Sequence, residues 1–365
     1  MGGALPGIQR HFAGNAHAAL LTPFVSGVVG LVFALSSPVI GRVIDRYGCR
    51  PVYMLSLAAF VVLGVSGALM PSLPLLIVTR ALTGVAVAGA LNAGLTGIGR
   101  LEAGRRGQML GLHAFVGGIG AVLLFALNGW LAQMRWWGPF LPHLAGLLIL
   151  PLAMQLSVGS AAVPKVRLFD KGPSPKLGLA TMSLAALAGM AMFSGPAFAP
   201  LHMESIGVTS ATTVSMILSI MALTALVAAG AYGWTSARLG LTGTFALSLA
   251  MVGIGLLASG LSTSLKLLTP GLALMAAGIS MLVPNVSAAA VTAAPEAPGG
   301  ALGMVMGLVF GAQVLVPVIA GFLDQRHVAG EVFLTLGAAS IAASLFCVIR
   351  LGAVKGALNR CLPLR

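Results

Sequence analysis

Runs of eighteen or more largely apolar residues recur along this chain from end to end. Each is long enough to cross the ~30 Å hydrocarbon core of a bilayer as a helix. Lipid offers backbone N–H and C=O groups no partner, so a spanning segment is a helix or part of a closed barrel. The polar–apolar alternation of barrel strands is absent. Eleven candidate spans result, near 19–41, 51–70, 74–98, 107–132, 139–157, 177–199, 209–232, 243–263, 267–293, 301–323 and 330–351. With 58% hydrophobic residues, the chain has more apolar surface than a soluble protein of 365 residues covers. The expected fold class is an all-α polytopic protein embedded in a lipid bilayer. Glycine, at 49 residues and without collagen periodicity, marks close helix approach in such segments.

The net charge of +13 is a matter of topology. The loops 42–50, 99–106 and 233–242, the segment 158–176 and the tail after 349 carry 15 of the 20 Lys and Arg residues. The opposite side holds Arg10, Arg135, Lys266 and Arg326, and Arg80 lies inside a span. This asymmetry makes the arginine-rich side cytoplasmic. The C-terminus is then cytoplasmic and the N-terminus, as given, periplasmic. No nucleic-acid module accompanies the positive charge. Cys49, Cys347 and Cys361 form neither a disulfide framework nor a metal-ligand spacing. No phosphate-cradling loop and no acid/base pair points to an enzyme or to a cofactor.

The longest hydrophilic stretch between spans, Val158 to Gly178, holds three prolines and reads as a linker. It sets the expected organisation: an N-terminal bundle at 1–157, a cytoplasmic linker at 158–176 and a C-terminal bundle at 177–365. The halves resemble each other. "GRVIDRYG" at 41–48 has a counterpart "GWTSARLG" at 233–240, so Gly41, Arg46 and Gly48 recur as Gly233, Arg238 and Gly240 at an offset of 192. Gly107, Ala114 and Gly118 recur as Gly300, Gly307 and Gly311 at an offset of 193. Parallel repeats of this kind imply two pseudo-symmetric bundles with a site between them.

"GRVIDRYGCR", Gly41 to Arg50, places four charges among ten residues of a chain that is 7% charged. One reading is a positive-inside loop with turn glycines. The pattern Gly-x-x-x-Asp-Arg-x-Gly-x-Arg also resembles the loop signature between the second and third helices of the major facilitator superfamily. Cys49 takes a position that is often basic there. The resemblance extends to "RALTGVAVAG" from Arg80, similar to the family's fourth helix, to "GISMLVPNV" at 278–286 in the tenth and to "GLVFGAQVLVP" from Gly307 in the eleventh. It implies a conformational latch made of Gly41, Asp45, Arg46, Gly48 and Arg50, with a second-half counterpart in Gly233, Arg238 and Gly240. An aspartate is stabilised at the positive N-terminus of a helix. The family's partner for Asp45 is the eleventh helix, expected here to begin near Gly300. Arg46 and Arg50 are placed to pair with carboxylates such as Glu102 or with lipid phosphates.

Two departures stand beside the resemblance. In the family's register the span 19–41 is the second helix, so about eleven of twelve spans are expected and the first is missing. "ALPGIQRHF" at 4–12 resembles the tail of that helix, through either a late start codon or a truncation. The fifth helix lacks the antiporter signature and reads "LLFALNG" at 123–129, although small residues line one stripe at Gly107, Gly111, Ala114, Gly118 and Ala121.

Ionisable and polar groups inside spans are candidates for transport. Arg80 is either a cavity or coupling arginine or a snorkelling one. His113 and His143 titrate near neutrality when exposed, or serve packing. Asn285 and Gln313 contact substrate or bond between helices. Phe193 precedes "SGP" at 194–196, a candidate flexible point, and Met190, Met192, Met275 and Met281 supply adaptable apolar surface. The carboxylates Asp45, Glu102, Asp170, Glu204, Glu296, Asp324 and Glu331 all fall in loops or at span ends. Proton coupling would then rest on the missing helix, on His113 or on an end-placed group such as Glu204. The resulting expectation is a monomeric secondary-active transporter in a bacterial inner membrane. It would move a small molecule by alternating access, by efflux of a hydrophobic compound or metabolite with protons as a possible coupling ion. A uniporter or importer, or a truncated protein that does not transport, are the alternatives.

Overall fold

The computed structural model describes residues 5–14, 17–155, 177–208, 210–322 and 328–361. They are helical nearly throughout, in the order α1 Leu5–His11, α2 Ala18–Leu21, α3 Phe24–Tyr47, α4 Cys49–Ser66, α5 Leu73–Gly99 and α6 Ala103–Met134. After these come α7 Ala145–Gln155, α8 Leu179–Ser205, α9 Ala211–Gly260, α10 Leu265–Ala293, α11 Pro298–Phe322 and α12 Val328–Cys361. Among the described residues, eight helical stretches are long and apolar enough to cross a membrane, and two shorter apolar ones lie at Gly138–Pro151 and Pro298–Ala312. One long stretch, Thr213–Gly260, holds two of the anticipated spans, divided at Gly240. The span anticipated at 139–157 begins as a 3-10 helix, Gly138–Leu144, in which Pro142 withholds the N–H that an α-helix would bond to the Gly138 carbonyl. The linker proposed at 158–176 lies outside the described residues.

The loops expected at 42–50 and 233–242 are shorter than the charge pattern suggests. α3 continues to Tyr47, and a single residue, Gly48 (φ 88°, ψ 161°), separates it from α4. α9 likewise runs through 233–239 and breaks only at Gly240 (φ 65°, ψ −178°). Charge does not end a helix, and Arg46 in the last turn of α3 complements the negative end of its dipole. Both breaks use a positive-φ, extended-ψ conformation that is almost closed to residues with a Cβ. The same backbone state at two positions 192 residues apart is the repeat expressed in geometry.

The chain forms two compact units. One comprises Met1–Leu101, Ile119–Gly178 and Ala290–Val314, the other Glu102–Gly118, Leu179–Ala289 and Leu315–Arg365. In the first, α5 packs on both α3 and α4. A Cβ on Gly84 would lie 2.6 Å from the Val29 carbonyl of α3, and one on Gly89 would collide with the Ser56 hydroxyl of α4. In the second, α12 packs on α9 and α8, and α10 lies against α9. Here a Cβ on Gly253 would come within 3.0 Å of the Gly337 carbonyl, and one on Gly255 within 2.5 Å of the Gly271 carbonyl. Without a hydrophobic drive in lipid, such close approach supplies the van der Waals contact that holds helices together.

Candidate functional site

The end of α3 presents Ser37, Gly41 and Asp45 at four-residue spacing, hence on one face. The start of α11 lies on that face, within the first unit. Gly299, Gly303 and Gly307 repeat at the same spacing along α11. A Cβ on Gly303 would collide with the Ser37 carbonyl, one on Gly41 with the Gly299 carbonyl, and one on Gly307 would sit 2.9 Å from the Ala34 carbonyl. Further along the same contact, the rings of Phe33 and Phe310 lie 4.3 Å apart between centroids.

This approach brings Asp45 to the N-terminus of α11. Oδ1 accepts from the Gly299 N–H at 2.7 Å and Oδ2 from the Gly300 N–H at 2.6 Å. These are among the first four amides of α11, which no carbonyl within the helix can satisfy. One carboxylate therefore supplies two charge-assisted bonds and sits at the positive end of a helix dipole. Beside it, Cys49 is buried with Ile44, Val52 and Ala93. The Arg46 guanidinium carbon lies 5.1 Å from the Tyr47 ring centroid, and Arg50 is exposed at the start of α4.

The second unit contains the related crossing of α6 on the first part of α9. A Cβ on Gly111 would lie 3.1 Å from the Ala229 carbonyl, and one on Gly233 would lie 2.9 Å from Gln108 Cα. Gly107 faces Ser236 and Gly118 faces Leu226. Arg238 places its guanidinium carbon 4.0 Å from the centroid of the Trp234 ring. The residue 192 positions after Asp45 is Ala237, so this crossing has no matching carboxylate.

Arg80 is 1% exposed. Its Nη2 donates to the Leu63 and Gly64 carbonyls at 3.0 Å each, capping the C-terminal end of α4. Nη1 lies 3.5 Å from His143 Nε2, while His143 Nδ1 lies 2.8 Å from the Phe140 carbonyl. The imidazole thus donates through Nδ1 and presents Nε2 to the guanidinium, the neutral tautomer. The Phe140 ring packs 5.0 Å from the Arg80 guanidinium carbon. Sequence groups these two residues only as separate in-span cations. The structure joins them.

Asn285 is fully buried in α10. Its Oδ1 accepts from the Tyr232 hydroxyl at 3.3 Å, and its Nδ2 donates to the Leu241 carbonyl at 2.9 Å, one residue beyond the break at Gly240. It therefore braces the joint in α9. His113 is exposed on α6. Phe193 is half-buried in α8, and beside it Gly195 faces the methyl ends of Met275 and Met221, at 2.6 and 3.0 Å from where a Cβ would stand. Gln313 belongs to α11, and its side chain lies outside the described residues. Sequence reading passed over Gly299, Tyr232 and Asn92, whose amide is buried in α5 with neither atom hydrogen-bonded. Among the described residues no group of three or more His, Cys, Asp or Glu side chains is placed to hold a metal ion.

The fold is shared with solved transporters. It superposes on the human organic anion transporter MFSD10 with a TM-score of 0.71 at 18% identity, covering 94% of this chain and 88% of that one. It superposes on the proton:xylose symporter XylE with a TM-score of 0.75 at 15% identity, covering 94% and 90%. At such identities the likeness speaks for the fold. The sequence itself matches the family description "Major Facilitator Superfamily" over residues 1–179. The chain is a member of the major facilitator superfamily. It is thus a multi-pass membrane protein with the superfamily's two-bundle fold, and the family is one of transporters rather than enzymes.

Relatives within the superfamily match over shorter stretches. The "Uncharacterized MFS-type transporter YybF" of Bacillus subtilis (strain 168) is 32% identical over 111 residues, 30% of this chain and 28% of that protein. The "Efflux pump dotC" of Dothistroma septosporum (strain NZE10 / CBS 128990) is 36% identical over 120 residues, 33% of this chain and 20% of that one. The chain thus aligns with less than a third of the length of these curated relatives.

Proposed function

We propose that this superfamily member is a secondary-active transporter in a bacterial inner membrane, with its C-terminus in the cytoplasm. It exports a small hydrophobic compound or metabolite by alternating access. The observation that carries the reading is the pair of bonds from Gly299 and Gly300 to Asp45. By sequence α3 belongs to the first repeat and α11 to the second, so this contact must part whenever the arginine-rich face opens. A carboxylate bonded in one state and hydrated in the other biases the equilibrium between them. Gly41, Gly48, Arg46 and Arg50 serve the same latch, and Gly233, Arg238 and Gly240 are its second-half counterpart without the anion. The efflux direction is supported by the likeness to an efflux pump.

The position of the carboxylates favours a second reading of the energetics. Among the described residues Asp45, Glu102, Glu204, Glu296 and Glu331 all lie at helix ends or between helices. A proton relay through the middle of a helix would then fall to His113, the exposed mid-helix imidazole. Without it the protein is a uniporter. Flux in proteoliposomes, measured over a panel of hydrophobic compounds with and without a pH gradient, tests both. Export that is slowed by Asp45→Asn at unchanged expression is the expected result. Wild-type flux in that variant would remove the latch from the mechanism. Gradient-independent flux would select the uniporter.

A further inference from the structure

An open groove of about 620 Å³ lies within the second unit, between the first turns of α6 and the end of the first part of α9. Gln108, Leu112 and Phe115 line it from α6, and Trp234, Ala237 and Arg238 from α9. The internal repeat gives this place a meaning. Ala237 is the counterpart of Asp45, so the first crossing carries a carboxylate and the second a methyl group beside open space. The surroundings are cationic. Arg238 lines the groove, and Arg105 and Arg106 lie on the first turn of α6. Glu102, immediately before α6, is the acidic residue near them in the sequence. The walls are apolar and face outward: Leu112 is 51% exposed and Trp234 61%.

We propose that this groove binds an anionic phospholipid from the leaflet on the arginine-rich side. The phosphate sits at Arg238 beside the Gln108 amide, and one acyl chain runs along Leu112, Phe115 and Trp234. The chemistry of each wall fits. Arg matches phosphate oxygens in a planar fork. The Trp234 ring, stacked on that guanidinium, holds the fork in place and suits the boundary between headgroups and acyl chains. A zwitterionic lipid also has a phosphate, but its ammonium group cancels the net charge, so selectivity follows net charge. The assignment of the leaflet to the cytoplasm rests on the proposed topology. The groove and its charge do not.

The test uses lipids with brominated acyl chains, which quench tryptophan on contact. Protein in phosphatidylcholine bilayers is titrated with brominated phosphatidylglycerol or brominated phosphatidylcholine. Trp234→Phe isolates the Trp234 signal from those of Trp130, Trp136 and Trp137. The expected result is half-quenching of Trp234 at about 5-fold lower mole fraction of the anionic lipid, the ratio for one cation at a membrane surface. Arg238→Gln should bring the ratio near one. So should Ala237→Asp, which leaves the Arg238–Trp234 stack in place and restores the missing carboxylate. Equal quenching by both lipids, a ratio that survives Arg238→Gln, or no Trp234 quenching by either lipid overturns the proposal. The readout is binding without flux, so its failure and that of the transport reading are distinguishable.

Discussion

Replacing Asp45 with Asn tests the energetics of the contact between α3 and α11. The side chain keeps its shape and one carbonyl acceptor. Its NH2 group replaces the second acceptor and faces an N–H donor, so one of the bonds to Gly299 and Gly300 is lost. A bond to a charged group is worth ~1.5–3 kcal/mol net, and an anion at a helix N-terminus a further ~0.3–1 kcal/mol. Allowing for rotation of the carboxamide toward its better partner, the contact weakens by about 2–3 kcal/mol, or roughly 30- to 140-fold in equilibrium. Ser37 reports the change. It is fully buried, and its carbonyl faces Gly303 of α11. With Cys49, Cys347 and Cys361 replaced by Ala, a cysteine introduced by Ser37→Cys reacts with N-ethylmaleimide only when α11 leaves α3. When the contact recloses faster than the reagent reacts, the labelling rate follows the separated fraction. The expected rate in Asp45→Asn is at least ~30-fold higher, with the melting temperature lowered by only a few degrees. A rise below about twofold would mean that Asp45 does not hold α11, and the argument from the helix terminus would be wrong.

Three further outcomes follow from the same geometry. Gly48→Ala and Gly240→Ala should each destabilise the protein by ~1–3 kcal/mol, because both glycines occupy a backbone region closed to alanine. Similar falls in detergent melting temperature would also support their equivalence as repeats. Arg80→Met should lower the melting temperature more than His143→Phe, since the first leaves the Leu63 and Gly64 carbonyls without the charged donor they share, while the second removes one neutral bond to the Phe140 carbonyl and a weak contact to the guanidinium. Flux per folded molecule in Arg80→Met then shows whether the arginine has any role besides capping α4. Asn285→Leu should cost ~1–2 kcal/mol. A double-mutant cycle with Tyr232→Phe in thermal unfolding should show coupling of a few tenths of a kcal/mol or more, and zero coupling would dissolve the pair.

Much of the architecture was legible because membranes leave few choices. The apolar runs had to be helices. The repeat was legible at Gly48 and Gly240 because only glycine serves that joint. What sequence did not reveal depends on register between distant helices. Gly300 stood out through its match with Gly107. Gly299, whose N–H shares Asp45, did not, because one glycine in a run of two carries no signal of its own. The loops at 42–50 and 233–242 were drawn too long because charge density was taken for irregular backbone. The backbone can remain helical there while long side chains reach water. Arg80 and His143 were read apart because they are 63 residues distant in the chain. Their meeting depends on how α4, α5 and the 3-10 segment pack, which no local pattern encodes.

The two joints also bear on which insertions and deletions this chain can survive. Gly41 and Gly48 are seven residues apart, as are Gly233 and Gly240. Seven residues make almost two full turns at 3.6 residues per turn, so in each half the close-packed glycine and the joint lie on nearly the same side of the helix. Adding or removing one residue between them turns the next helix by about 100° relative to the packed face. The helix would keep its hydrophobicity and its length and would still be inserted. Its partner, however, would meet the wrong side. A length change of one residue in these short stretches should therefore be far more damaging than most single substitutions within them.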